Sequence, residues 1–364
     1  MTQQSSAQAA STAVQRPLYA KLTRRIAVSV AVMVLLTIPS IALIAINHES
    51  ASTWATASGI AGVVALLAGG VRTGVTVAIV LGLLAPIAIV VGLTPITGAA
   101  LMAVMCMTVG RLSRFGLHRA TLLVPVFMAW MILDPPTWGR GLRVDRTDAD
   151  YLTWMAVIFF VGAIFPVIVL PWALRKVHMP APKPHPRRES VPYTATITLL
   201  TAVSTYVLLQ HPDQVAGAWL IATILVLSQV GDVGTFRMTL ERVLGTALGL
   251  IAVTVVVMRV HSLTWIYIIG LIFAVAALTA KFSPHYWIYM ALITPTVVCL
   301  NASSSSQVKN LEAQRGIDTL IGAALVLLSA GITLGYSHLA ARRGEPPTVD
   351  EPTTLGTPAS ATPA

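Results

Sequence analysis

The stretch FRMTLERVLGTALGL, residues 236–250, groups Arg237, Glu241 and Arg242 and then runs into Gly245 and Gly249. Guanidiniums clustered in this way can draw an anion. The i,i+4 spacing of Arg237 and Glu241 equally suits an ordinary surface ion pair. Arg72 occupies the matching point of an earlier apolar stretch, just behind Gly69 and Gly70. In KFSPHYWIYM, residues 281–290, Lys281 stands near Tyr286 and Tyr289. An ammonium beside phenol rings could hold the carboxylate of an aromatic anion, although a cation and aromatics at a helix end also form an interfacial belt. Pro125 and Pro295 each remove a hydrogen bond inside an apolar run, and Thr294 and Thr296 flank the second. A freed carbonyl with two hydroxyls could line a cavity, or the prolines could simply kink their helices. EAQRGIDTLIGAA, residues 312–324, puts Glu312, Arg315 and Asp318 on one helical face. Asp318 suits the N-terminus of a helix; buried, it would be the best acid for carrying a coupling proton, with Asp232 second.

The elements that must position these groups follow from composition. Of 364 residues, 55% are hydrophobic and only 10% charged, with mean hydropathy +0.78. A soluble domain carries roughly 25% charged residues. The apolar residues come in continuous runs, each of a length to cross a hydrocarbon core of ~30 Å, and not in the alternating strands of a barrel. The fold is expected to be all-α and polytopic. Twelve transmembrane helices are predicted, at 26–46, 54–70, 73–92, 96–110, 118–134, 151–174, 193–209, 215–231, 242–258, 263–281, 285–300 and 317–338. Gly245 and Gly249 form a GxxxG that lets two of them pack closely.

Residues 111–148 match 281–318 at an offset of 170, pairing Arg111 with Lys281, Ser113 with Ser283, Pro125 with Pro295 and Asp148 with Asp318. Six helices per half is an even number, so the two repeats are expected to be parallel. The expected layout is a disordered cytoplasmic tail over 1–22, a first six-helix repeat over 23–174 and a basic, proline-rich linker over 175–192. A second repeat over 193–340 and a disordered tail over 341–364 complete it. The seam between the repeats is the expected place for a site.

The net charge of +10 would suggest nucleic acid in a soluble chain; here the charges lie between spans, and the membrane surface accounts for them. With the N-terminus cytoplasmic, only Arg140, Arg143, Arg146, Arg259, Lys309 and Arg315 of the 24 Lys and Arg fall on the far side. The bias places both termini in the cytoplasm of a cell with the protein in its plasma (inner) membrane. Hardly any charge is expected at mid-membrane depth, where each costs ~2.5–3.5 kcal/mol. No phosphate-binding GxxxxGKT, no GxSxG and no cluster with metal-ligand spacing is present, so neither an enzyme nor a cofactor or metal is expected.

At RVLGTALGL and QRGIDTLIGAALVLL the sequence resembles the fusaric acid resistance and aromatic acid exporter superfamily. Its first pattern, Arg-x-x-Gly-Thr-x-x-Gly, falls on Arg242, Gly245, Thr246 and Gly249; its second, Arg-x-x-Asp-Thr-x-x-Gly, on Arg315, Asp318, Thr319 and Gly322. The match is clearest over about 215–338, and the large cytoplasmic domain of longer relatives is replaced by an 18-residue linker. The resemblance implies an exporter of small, aromatic carboxylate anions. An anion channel and a non-transporting accessory protein of a cell-envelope complex are the alternatives. Partners would be the lipid bilayer, the anion, and a second copy or an envelope protein.

The orientation is directly testable. Alkaline phosphatase fused after Arg343 should be inactive, and a green fluorescent protein at the same point should glow. The reverse pattern would overturn the assignment.

Overall fold

The computed structural model describes residues 30–45, 49–136, 145–173, 181–211, 217–228, 230, 235–260, 262–280, 285–301 and 305–342. Within these the chain is helical, with no strand: α1 (Val30–Ala45), α2 (Glu49–Val91), α3 (Pro95–Leu112), a 3-10 turn (Ser113–Phe115), α4 (His118–Thr121), α5 (Leu123–Leu133) and α6 (Ala149–Ala173). Then come α7 (Arg187–Gln210), α8 (Ala218–Leu227), α9 (Thr235–Arg259), α10 (Leu263–Ala280), α11 (Tyr286–Asn301) and α12 (Ser305–Arg342). Six are long and apolar enough to cross a membrane, at Ser52–Val91, Pro95–Phe115, Ala149–Trp172, Arg187–Gln210, Phe236–Val256 and Ala313–Ile332. Each of the twelve expected stretches overlaps a helix, several of them shorter than a full span.

α2 is two helical arms. Gly70 has φ 82° and ψ 178°, a conformation that only glycine adopts without strain. A Cβ built on Gly74 lies 3.5 Å from the Cα of Leu66, eight residues earlier. In a straight helix eight residues span about 12 Å. The chain therefore doubles back at Gly70, which separates the expected helices 54–70 and 73–92.

One departure from the sequence reading concerns a helix end. The last helix begins at Ser305 and not near 317, because the Gln, Leu, Glu and Ala of 305–313 are good helix formers and nothing there breaks the run. Glu312, Arg315 and Asp318 thus lie inside α12 and not at its start. Pro125 is the third residue of α5, and Leu122 between α4 and α5 keeps helical angles, φ −57° and ψ −34°; Pro125 thus removes a hydrogen bond inside a nearly continuous helical run, as Pro295 does mid-helix in α11.

Close backbone approach holds the bundle. A Cβ on Gly59 of α2 would lie 3.1 Å from the Gly162 carbonyl oxygen of α6, and Gly62 meets the Ala163 carbonyl likewise. One apolar core runs from α2, α3, α5 and α6 into α7, α8 and α12, and Trp130 of α5 meets Trp219 of α8 edge-on at 4.6 Å. Packed apolar side chains fill the contact between α5 and α8.

Gly70→Ala should lower stability by about 1–3 kcal/mol, the cost of a backbone conformation that disfavours any Cβ. Gly331→Ala, in an open helical position of α12, should be neutral or stabilising. Thermal denaturation in detergent micelles reads both; equal effects would remove the hairpin argument.

Candidate functional site

The site grows from α9. Seven residues into this helix, Arg242 is only 6% exposed. Its Nη1 donates to the Tyr286 hydroxyl of α11 and its Nη2 to Thr223 Oγ1 of α8, each at 3.1 Å, while Nε has no protein partner. α11 is held against α9 at that level by Glu241. One carboxylate oxygen accepts the Tyr286 backbone N–H at 2.8 Å, satisfying a free amide at the start of α11, and the other accepts from Arg237 Nε at 2.8 Å. Below this, Gly245 and Gly249 bring the α9 backbone onto α11. A Cβ on Gly249 would stand 2.7 Å from Thr294 Cβ and 2.9 Å from the Ala291 oxygen; Gly245 abuts the Trp287 carbonyl.

α12 approaches the same place from the other side and straddles the first turn of α8. Arg315, 4% exposed, lays its guanidinium over the Trp219 ring, 4.0 Å from its centroid. A cation on the face of an indole is a favourable pairing when desolvated. One turn on, the fully buried Asp318 faces the backbone N–H of Leu220 without reaching hydrogen-bond geometry. One further turn on, Gly322 lets α12 close on α8, where a Cβ would meet Thr223 at 2.8 Å. Arg315 and Arg242 are electrostatic neighbours, with the Tyr286 and Tyr289 hydroxyls nearby; those two rings lie 6.1 Å apart.

Among the described residues neither buried guanidinium is ion-paired: Arg242 Nε and Arg315 Nε and Nη1 are buried without a hydrogen bond. The hydroxyls of Thr246 and Thr294 are also buried and unpartnered. The cluster can therefore supply several N–H and O–H donors and two positive charges to an anion, with aromatic faces around it. Arg242, Arg315 and Asp318 all lie inside candidate spans, because α9 and α12 start earlier than their apolar runs do.

The structure brings together Arg242, Tyr286 and Tyr289, with Thr294 on the neighbouring glycine seam. It leaves Arg237 outside, exposed and paired with Glu241, and Arg72 exposed on the second arm of α2. Lys281 and Asp232 lie outside the described residues. Pro295 packs on Gly249 at the seam; Pro125 is remote from it. In the 145–150 loop the carboxylates have local roles. The Thr147 hydroxyl and N–H hold Asp145 below its ordinary pKa, at 2.6 and 2.9 Å, and Asp148 accepts from the Asp150 N–H at the start of α6. Among the described residues no group of three or more possible ligands could hold a metal.

Both motifs noted in the sequence converge on α8, one through Arg242 and Thr223, the other through Arg315, Asp318 and Gly322. Residues 191–329 match the family model described as fusaric acid resistance protein-like. The match supports membership of that family and covers the helices that build the site. Together with six helices long and apolar enough to cross a membrane, it supports a multi-pass membrane protein. No curated protein and no solved structure matches the chain.

Trp219 and Thr223 were missed in the sequence because they stand in an unmarked apolar run. Their i,i+4 spacing, which puts both on one helical face, was the available signal. A buried cation without a counter-charge is costly, so Arg315→Met should raise the thermal stability of the purified protein, by about 1–3 kcal/mol. A loss of stability would mean that the guanidinium is a structural prop.

Proposed function

We propose that the protein is a membrane transporter for small organic anions, aromatic carboxylates above all, acting as an exporter. The observation that carries this reading is the pair of buried, unmatched guanidiniums, Arg242 and Arg315. A bound carboxylate would supply the missing charge and accept from the free N–H groups, as arginine forks do. Tyr286, Tyr289 and Trp219 offer ring faces, and Thr294 offers a hydroxyl. Fusaric acid, in the family's description, is itself a pyridine carboxylic acid. Asp318 faces the first turn of α8 with both carboxylate oxygens unpartnered; coupling to protons is the role left for it if transport depends on pH.

The direction follows from electrostatics. An inside-negative potential favours exit of an anion by ~2.3 kcal/mol per charge per 100 mV, so export requires no nucleotide. Lys281, five residues before Tyr286 in the sequence, would recruit the anion from the cytoplasmic side, and the α9–α11 glycine seam beside Pro295 is where the helices would slide.

Inverted membrane vesicles with the lumen held positive should accumulate radiolabelled benzoate. Arg242→Gln and Arg315→Gln should each reduce the initial rate at least about ten-fold, the equivalent of one lost charged hydrogen bond. Arg237→Gln should stay within two-fold. If a panel of aromatic carboxylates shows no potential- or proton-driven movement, the reading fails.

A further inference from the structure

One face of α10 is uncovered among the described residues. It forms an apolar groove of about 760 Å³, lined along α10 by residues from Ile268 to Ala280 and closed at one side by Ile288 of α11. The position of this groove is not arbitrary. α7 covers α3 at three points: Leu209 against Gly98, Thr201 donating to Cys106 Sγ at 3.2 Å, and Thr194 against Gly110. Shifted by the 170-residue offset of the sequence repeat, those α3 positions become Ile268, Ala276 and Ala280, all in the groove. Met102, Met105 and Val109, also buried on α3, become Ile272, Val275 and Thr279, and these line it too. The face that carries a helix on α3 is thus the face left open on α10.

The same offset says which helix belongs there. α7 is the first helix of the second half, and its contact residues Thr201 and Leu209 correspond to positions 31 and 39, in α1. The inner face of α1 is fixed in its own half: Ser40 Oγ bonds Thr56 Oγ1 and the Ser52 carbonyl, each at 2.6 Å, and Leu36 packs with Val63 and Leu66. The outer face is a straight exposed stripe of Val30, Val34, Ile38, Ile41 and Ile44. Repeats every three or four residues of this kind form a seam for another helix. Because α1 is held by α2 and α6, it is not free to leave for the α10 of its own chain.

We propose that the protein is a two-fold dimer in which α1 of each copy seats in the α10 groove of the other. Counting the Gly70 hairpin as two runs, α4–α5 as one and the short α8 as one, α1 and α7 are odd-numbered runs of the chain, and α3 and α10 even-numbered. Copies sharing one orientation in the bilayer therefore present α1 antiparallel to α10, the sense in which α7 lies on α3. The exchange is reciprocal, so two copies close the assembly and leave neither face open. Groove and stripe are both apolar, so packing drives the contact. This inference does not depend on the anion site.

The offset sets position 35 opposite Ile272, next to the exposed Val34. Two differently tagged variants, Val34→Cys and Ile272→Cys, are co-expressed in one membrane and oxidised with copper phenanthroline. A band of twice the chain mass carrying both tags is expected, at least ten-fold above the yield of Val34→Cys paired with Leu199→Cys, an equally exposed position on α7. Each variant alone should give no such band, since the native Cys106 and Cys299 are buried. No mixed band from monodisperse protein would overturn the proposal, and so would a Val34→Cys/Ile272→Cys double variant that closes within a single chain. Benzoate transport by the uncrosslinked variants reports separately on the anion site.

Discussion

Burying two like charges without a counter-charge is the constraint around which the second half is organised. A guanidinium inside a span is costly, by up to ~2.5–3.5 kcal/mol at the centre on the most lenient scale, and a second one nearby adds repulsion. The fold offsets part of this with the indole face of Trp219, the hydroxyls of Tyr286 and Thr223 and the thioether of Met290, 3.9 Å from Arg242. None of these carries negative charge. Asp318 does, yet it is turned to the amide end of α8. A fold under selection for stability alone would have placed that carboxylate between the arginines, or apolar residues in their place. The arrangement makes sense where the missing charge arrives with a solute and leaves with it.

α8 is the element on which this depends. It has only ten residues, too few to cross a bilayer alone, and it is enclosed by α5, α7, α9 and α12. Its first turn begins at Gly217 in a left-handed conformation, φ 37°, which aims Trp219 and Leu220 at α12 while Thr223 meets α9. The glycines of both motifs serve this convergence. Gly322 lets α12 close on Thr223, and Gly245 and Gly249 let α9 close on α11. In a membrane, where apolar surface does not drive helices together, such close contacts determine which side chains share a cavity. A motif of arginine, glycine and threonine is therefore a packing instruction and a charge placement at once.

Much of this was legible beforehand. Long apolar runs gave the helices, since lipid admits little else, and the paired glycines at 69–70 marked the turn between two of them. Arg242, Tyr286 and Tyr289 were singled out by type alone, and they meet. What was missed was burial. Arg315 was assigned to the far surface because a charged, polar segment before an apolar run reads as a loop. The chain instead forms helix from Ser305 and carries Arg315 into the bundle. Trp219 and Thr223 were invisible for the opposite reason: in an apolar segment, a tryptophan and a threonine are ordinary until a cation is known to face them. One-dimensional hydropathy registers the edges of spans and is blind to which partner stands across the helix.

The 170-residue offset sharpens the point. It pairs Arg72 and Thr76 with Arg242 and Thr246, and Asp148 with Asp318. In the first half these residues are at the edge: Arg72 is exposed two residues past the Gly70 turn, Thr76 bonds back to its carbonyl at 3.0 Å, and Asp148 precedes α6. In the second half the same residue types are inside, because α9 begins seven residues before Arg242 and α12 thirteen before Asp318. Those N-terminal extensions amount to about 10 and 20 Å of helix. Lengthening two helices at one end is thus enough to carry residues suited to a membrane surface into the bundle. A charged surface and a charged site can then differ only in where the turn before them falls.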